Sequence, residues 1–143
     1  MNDASFALSV AYATLLAGLT YNGQEVKVYD QKASNTATFP YVILGPWQAR
    51  SGNTKDSFGQ VGEINLDIVT GFVGDQSSRK PSVEIGNLIT SLLKPTPTAE
   101  VLTAPGFRVW MTAITATLDI SDELNTKGLR RKIITVQHTL TEI

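Results

Sequence analysis

The chain offers few residues whose type and spacing suit catalysis. His138 is the only histidine among 143 residues, and there is no cysteine. Nucleophilic hydrolysis needs a histidine beside a serine or cysteine nucleophile, and the sequence contains no G-x-S-x-G turn that would present a serine. His138 alternates with Ile134, Val136 and Leu140, which is the spacing of a strand position that partly faces a core. We therefore interpret His138 as structural and predict that the protein is not an enzyme, with no catalytic residue, metal ligand or cofactor.

Glu63 and Asp67 are the most suggestive pair of carboxylates. At about 3.3 Å per strand residue, four positions separate them by roughly 13 Å. The carboxylates of a glycosidase lie within about 5–9.5 Å of each other, so these two do not act together within one subunit. A solvated strand face is the simpler interpretation, and an acidic row facing the lumen of a ring is the alternative.

Two glycine pairs and two tryptophans complete the candidate residues. The GxxG segments 59–62 and 71–74 lack the Lys-Ser/Thr of a P-loop and the third glycine of a dinucleotide-binding turn, so we interpret them as loop or bulge glycines. Trp47 and Trp110 fit a protein interface, where tryptophan is enriched, and equally fit the core.

Composition indicates one globular domain spanning residues 1–143. The chain is 42% hydrophobic and 17% charged, and a domain of this length buries roughly 68–70% of the surface that its unfolded chain exposes. A net charge of −1 argues against nucleic acid as the main ligand, because phosphate binding needs grouped Lys and Arg. The basic cluster formed by Lys127 and residues 130–132 would divide between the two faces of a strand.

The N-terminal residues and the apolar segments give no targeting signal. There is no basic N-terminal region and no apolar run near 18 residues, so neither secretion nor a membrane span is expected. The absence of cysteine is compatible with synthesis in the cytosol.

Hydrophobic periodicity predicts two helices and five strands. The predicted elements are a helix from Phe6 to Leu19, strands at 26–29, 39–45 and 63–69, a helix at 81–93, and strands at roughly 107–119 and 129–141. Because the strands are grouped, we predict an α+β fold in which a mainly antiparallel β-sheet has two helices packed on one face, in the order α-β-β-β-α-β-β.

The helical spacing also predicts which side chains face the core. In the first helix, capped by Asn2, Asp3 or Ser5, the predicted apolar face consists of Phe6, Val10, Ala13 and Ala17, widened by Leu8, Tyr12, Leu15, Leu16 and Leu19. In the second helix the predicted stripe consists of Ile85, Leu88, Ile89, Leu92 and Leu93. With these residues buried, no long exposed apolar stripe is expected.

Three polar segments, 31–38, 50–60 and 73–80, lie between predicted elements and are candidates for binding loops. Segment 50–60 has one apolar side chain, too little to order it internally, so we expect it to become ordered against a neighbour. Ordinary surface loops are the simpler interpretation. The interface candidates in and around these segments are Gln31, Lys32, Trp47, Arg50, Lys55, Phe58, Arg79 and Trp110.

Taken in order, these segments resemble the phage tail-completion family, the tail terminator and tail-to-head joining proteins of long-tailed phages. The most specific part is Tyr29-Asp30, a loop, and then Phe-Pro-Tyr-Val-Ile-Leu-Gly at 39–45. The N-terminal helix, the strand Glu63–Val69, the helix Val83–Leu93 and the closing strands, with Leu-Arg-Arg-Lys at 129–132, extend the resemblance over nearly the whole chain.

The resemblance implies a structural protein of the virion tail or neck, made in the host cytoplasm. Its copies would form a ring, a hexamer, on the last ring of the tail tube. The ring would stop tube polymerisation and present its other face to a head-completion or connector protein. DNA would only pass through the lumen, which Glu63 and Asp67 are candidates to line, and the family implies neither a cofactor nor a membrane partner.

Other functions stay open at this stage. Another neck or head-completion ring protein, or a tube subunit, would share the ring symmetry and the small size. A small hydrolase or a ligand-binding domain is the alternative from a different class.

Overall fold

The computed structural model describes residues 2–53, 57–71, 78–121 and 128–143. In chain order the elements are α1 (Ser5–Leu15), β1 (Thr20–Tyr21), β2 (Gln24–Glu25), β3 (Lys27–Asp30), β4 (Tyr41–Leu44), β5 (Gln48–Ser51), β6 (Gly59–Gly71), α2 (Lys80–Leu93), β7 (Phe107–Ser121) and β8 (Leu129–Glu142). The predicted α+β fold and the predicted order of its main elements are confirmed. The three strands that the sequence did not predict, β1, β2 and β5, are short.

The main sheet is built around β6. Its strand order is β3-β4-β6-β8-β7, and β5 pairs with β6 on the same edge as β4. β6 pairs antiparallel with β8 along its whole length, from Gly59 opposite Thr141 to Gly71 opposite Leu129. β3 and β4 are parallel, while the other pairs of this sheet are antiparallel, so the sheet is mainly antiparallel as predicted.

Both helices cover the same face of this sheet. Tyr12 of α1 contacts His138, and Gly86 of α2 lies against Ile134. Ile134 and His138 are four residues apart on β8 and therefore point to the same face. The core between the layers consists mainly of Leu8, Tyr12 and Leu16 from the first helical segment, Ile85, Ile89 and Leu93 from α2, and Ile64, Leu66, Ile68, Ile134, Val136 and Leu140 from the sheet.

The apolar face predicted for the first helix is wrong in part. Leu8 and Tyr12 are buried, but Phe6 is 77% exposed, and Val10, Ala13 and Ala17 are exposed as well. We call these four residues the α1 stripe. Both sets of side chains obey helical spacing, and spacing alone does not tell which set meets the sheet, because this helix is apolar on most of its circumference. The expectation that no exposed apolar stripe exists is therefore also wrong.

The helix ends follow local rules only partly. Asp3, one of the three predicted caps, accepts a hydrogen bond of 2.8 Å from the N–H of Ser5, although the N-cap position itself is Ala4. In α2, Pro81 lies in the first turn as predicted. Leu88 and Leu92, predicted to be buried, are each 40% exposed on the outer side of this helix.

β4, within the strand predicted at 39–45, is covered by the helices on one face only. Val42 and Leu44 are buried under the helices, whereas Tyr41 and Ile43 are half-buried on the opposite, helix-free face of the sheet. There the Tyr41 ring stacks on Phe39 at 5.6 Å and meets Tyr29 edge-on at 5.8 Å between centroids. A cluster of aromatic rings thus replaces a second layer.

The region around β5 corrects two further predictions. Arg50 was expected in a loop but pairs with Val61 in a strand. Gly59 and Gly62 lie inside β6 rather than in a loop or bulge, and a Cβ at Gly62 would collide with the carbonyl oxygen of Gln48. The glycines therefore permit close approach of the backbone.

The segment between α2 and β7 contains no strand at Val101 and Leu102. The side chain of Lys94 ties its first part together, because Nζ donates to the carbonyl oxygen of Ala99 at 2.9 Å and pairs with Glu100 at 2.8 Å. Leu102 and Ala104 then anchor the segment in the core.

Candidate functional site

His138 lies in a buried polar cluster rather than in an open site. Its Nε2 is 2.5 Å from the hydroxyl of Tyr12, its Nδ1 is 3.0 Å from the hydroxyl of Thr112, and its side chain is 0% exposed. Burial lowers the pKa of His138 to about 4, so the ring is neutral at pH 7 and each hydroxyl complements one ring nitrogen. The predicted core-facing position is confirmed, and burial is complete rather than partial.

Trp47 connects this cluster to the surface. Its ring centroid is 6.3 Å from that of His138, and its indole N–H donates to Gln60 Oε1 at 3.2 Å. The Gln60 amide in turn donates to the carbonyl oxygen of Asn2 at 2.5 Å. Trp47 is half-buried and packs against the core, so a contact between Trp47 and another chain stays a prediction.

The helix-free face of the sheet is polar along β6 and β8. Arg131 Nε donates to Asp67 Oδ2 at 3.0 Å, and Nη2 of the same guanidinium contacts the same carboxylate. These hydrogen bonds raise the pKa of Arg131. Within the parts of the chain that the structure describes, Glu63 forms no ion pair. Of the two possible lumen residues, Glu63 therefore has a free carboxylate, and the charge of Asp67 is neutralised by Arg131.

A shallow cleft borders Glu63 on this face. Its volume is about 380 Å³, and its lining residues are Gln48, Ala49, Arg50, Val61, Gly62, Glu63 and Gln137. Most of these are uncharged, so the cleft has the polar and nearly neutral character of the face around it.

The edge strand β7 carries a row of apolar side chains on the helix-free face. Met111, Ala113, Ala116, Leu118 and Ile120 pair with the β8 positions that point to this face, and we call these five residues the β7 strip. Register shifts between Val109 and Met111 and between Ile114 and Ala116 keep the strip on one face along the strand. Leu118 is 57% exposed, so the strip is open to a partner.

Trp110 lies beside one end of the β7 strip. It is 54% exposed, its indole N–H donates to Thr141 Oγ1 at 2.7 Å, and the Arg108 guanidinium lies 4.9 Å from the ring centroid. These two contacts hold a large aromatic side chain at the surface in one orientation, which suits an interface anchor.

The outer face of α1 forms a second apolar surface. Two clefts of about 230 Å³ each lie between α1 and the end of the sheet at β3. Phe6 lines the first cleft with Asp30 and Gln31, and Ala13 and Ala17 line the second with 25–29. The α1 stripe therefore borders the β3 edge, which is the edge opposite to β7.

The loop candidates divide between separate places. Arg50 of β5 and Phe58, which immediately precedes β6, lie near the start of β6. Gln31 and Lys32 follow β3, and Arg79 immediately precedes α2. Phe58 is 51% exposed. Lys55, most of segment 73–80 and Lys127 lie outside the described residues. The exposed apolar surfaces that the sequence prediction missed are the α1 stripe and the β7 strip.

Neither a metal site nor a membrane helix is found in the described residues. No three acidic or histidine side chains in these residues are grouped as metal ligands would be. The helices that the structure describes are too short or too polar to cross a membrane.

Comparison with known proteins identifies a structural relative but no family. No protein-family model matches the chain, and no curated protein matches it. A chain in the solved structure of the virion of native gene transfer agent (GTA) particle aligns over 99% of both chains, with a TM-score of 0.75 and 16% identity. The two chains share one fold. The α+β architecture described above therefore also occurs in a component of a virion.

Proposed function

We propose that this chain is a structural virion protein that closes the head-proximal end of a phage-like tail tube as a ring. The ring would stop polymerisation of the tube and join the tail to the head. The observation that carries the proposal is the alignment of the whole fold with a virion chain over 99% of both lengths. The sequence segments that resemble the tail-completion family add support, because 28–30 and 41–44 form the adjacent parallel strands β3 and β4.

The arrangement of polar residues supports a non-enzymatic role. The only histidine of the chain is buried between two hydroxyl groups and is not presented to a substrate. Asp67 is bound to Arg131, and Glu63 lies four residues away on the same strand. Neither carboxylate is arranged to act with a second catalytic group.

One end of the sheet supports contact with another virion protein. Phe58 immediately precedes β6, and Trp110 donates to Thr141, which lies opposite the first residue of β6. Two exposed aromatic side chains thus lie at the end of the sheet where β6 begins, with Arg50 nearby on β5. Aromatic residues and arginine are the types that carry most binding energy at interfaces, and we assign this end to the tube or connector.

The helix-free face along β6 suits the wall of a channel for DNA. A lumen must not retain phosphate groups, and a basic wall would attract them. Here Arg131 is neutralised by Asp67, and the side chain of Thr135 donates to Asn65. Glu63 shares its cleft with Arg50, so this face is close to neutral.

The decisive experiment is electron microscopy of particles assembled without this protein. We expect headless tails of uncontrolled length, and a plasmid copy of the wild-type gene should restore normal tails. Normal-length tails that fail to join heads would instead indicate a head-completion protein. Complete absence of tails would indicate a tube subunit, and either result would refute termination.

A further inference from the structure

We infer that copies of this chain join head to tail, with the α1 stripe of one copy packed on the β7 strip of the next. The inference rests on the proposed ring and identifies the surfaces that close it. The α1 stripe lies on the helix side of the protomer near the β3 edge, and the β7 strip lies on the helix-free face at the opposite edge. Each copy therefore offers two different apolar surfaces that face in different directions.

The charge pattern supports a second copy as the occupant. The sequence has no charged residue from Ala4 to Gln24 and none from Val109 to Leu118. Packing one of these surfaces on the other removes apolar area from water, and the nearest charged residues, Glu25, Lys27 and Asp30, lie at the border of the α1 stripe rather than in it. Other surfaces of a second copy are charged. If the end of the sheet that carries Arg50, or the surface that carries Lys80 and Glu84, packed on the α1 stripe, a charge would lie against that stripe.

The shapes of the two surfaces are also compatible. A helix packed on a sheet face is one of the stable layer arrangements of proteins, and the α1 stripe is already on the outside of a helix while the β7 strip is on a sheet. The part of the stripe within α1, from Phe6 to Ala13, spans seven residue steps at 1.5 Å, or roughly 11 Å. The strip spans nine steps at about 3.3 Å, or roughly 30 Å at most. The stripe therefore fits along the strip with length to spare.

The two surfaces also lie at the same height along the strands. The stripe borders Ile64 at one end and 27–29 at the other. Tyr29 pairs with Ile43, which pairs with Asp67, so Tyr29 and Asp67 lie at the same height along the strands. Strand pairing across β8 places Met111 of the strip at the height of Val61, and Leu118 at the height of Asp67. Copies joined in this way are displaced across the strands with little shift along them. A joint between two different surfaces closes into a ring when there is no shift along the rotation axis and the rotation between copies is a whole fraction of a turn, so the small shift along the strands meets one of the two conditions.

The test uses single cysteines, because the chain has none of its own. Ala13→Cys lies in the α1 stripe and Ala116→Cys in the β7 strip, both at exposed positions, so folding should be unaffected. A short bis-maleimide cross-linker is applied to each variant alone and to their equimolar mixture, free in solution and bound to tube ends. We expect a covalent heterodimer from the mixture and no dimer from either variant alone.

The matched control is Asn87→Cys, an exposed position on α2, which should not cross-link to Ala116→Cys. The double variant Ala13→Cys/Ala116→Cys should give a ladder of linked copies that ends at the ring number. Dimers of Ala13→Cys alone would indicate like-with-like pairing and overturn the inference. Absence of the heterodimer, even on tube ends, would overturn it too. If tails of such particles still end at the normal length, the proposed function stands without this joint.

Discussion

At the scale of single residues, the buried side chain of His138 is stabilised by hydroxyl groups rather than by charges. Tyr12 and Thr112 contact its two nitrogens at 2.5 and 3.0 Å, and these contacts join α1 to β7 and β8. A buried polar side chain of this kind stabilises the fold only while its partners are present, since an unpaired buried group costs about 1–3 kcal/mol.

Replacing His138 by Gln should therefore weaken the fold without affecting assembly. Glutamine retains part of the hydrogen bonding, so we expect the free energy of unfolding to fall by about 1–3 kcal/mol, measured by urea denaturation, while particle yield stays near normal. The control is Gln137→Ala on the other face of β8, expected to change stability by about 0.5 kcal/mol or less. Loss of infectivity in a His138→Gln protein that folds normally would contradict the structural role.

The lowered pKa of His138 predicts a loss of stability in acid. The pKa is about 4 in the folded chain against 6.5 as the ordinary value, so the unfolded chain binds the proton first as pH falls. The contribution of His138 to the free energy of unfolding should be constant above about pH 6.5. It should decrease as the pH falls from about 6.5 to 4. The difference in stability between wild type and His138→Gln should narrow over this window, and a pH-independent difference would refute the assignment.

At the scale of elements, periodicity predicted the long strands well and the orientation of α1 poorly. The alternation in β8 identified Ile134, Val136 and His138 as core-facing, and all three are buried. In α1, by contrast, Phe6 and Leu8 both lie on apolar rows, and only the position of the sheet decides between them. The α1 stripe, which the prediction assigned to the core together with Leu8 and Tyr12, is now the surface proposed to bind a second copy.

Pairings between distant strands could not be predicted from the sequence. The contact between Asp67 and Arg131 depends on the register of β6 against β8, and the β7 strip depends on two register shifts. β5 was missed because Gln48 and Arg50 are polar and exposed, and its strand conformation comes from pairing with β6. A short polar strand has no periodicity of its own to detect.

The segment 50–60 belongs to this scale as well, and its ordering on assembly stays a prediction. Its two flanks are held by bonds from Gly52 N–H to the Gly59 carbonyl at 2.9 Å and from Glu142 N–H to the Phe58 carbonyl at 2.9 Å. We attribute any further protection of this segment on assembly to contact with a neighbour. We expect hydrogen exchange in this segment to slow on assembly, whereas the core helix peptide 85–93 should exchange equally in both states. Equal protection of 50–60 before and after assembly would contradict this prediction.

At the scale of the whole molecule, the two apolar surfaces lie far apart, and this separation decides how copies combine. A protein whose only apolar surface were the α1 stripe would form a pair and stop. Two different surfaces on opposite edges and faces allow each copy to hold two neighbours, so the number of copies is set by the angle between the surfaces. Stable interfaces bury about 800 Å² per partner, and binding on a tube end would strengthen smaller joints through effective concentration.

The uncharged sequence around α1 has a consequence for the conditions under which such an assembly holds together. With no charged side chain from Ala4 to Gln24, and with Glu25, Lys27 and Asp30 only at its border, this surface offers sodium chloride few charges to screen. Apolar association instead weakens on cooling and strengthens in sulfate. The joint between copies would therefore loosen in the cold, tighten in sulfate buffers and respond little to chloride, which is the opposite of the behaviour of an interface made of ion pairs.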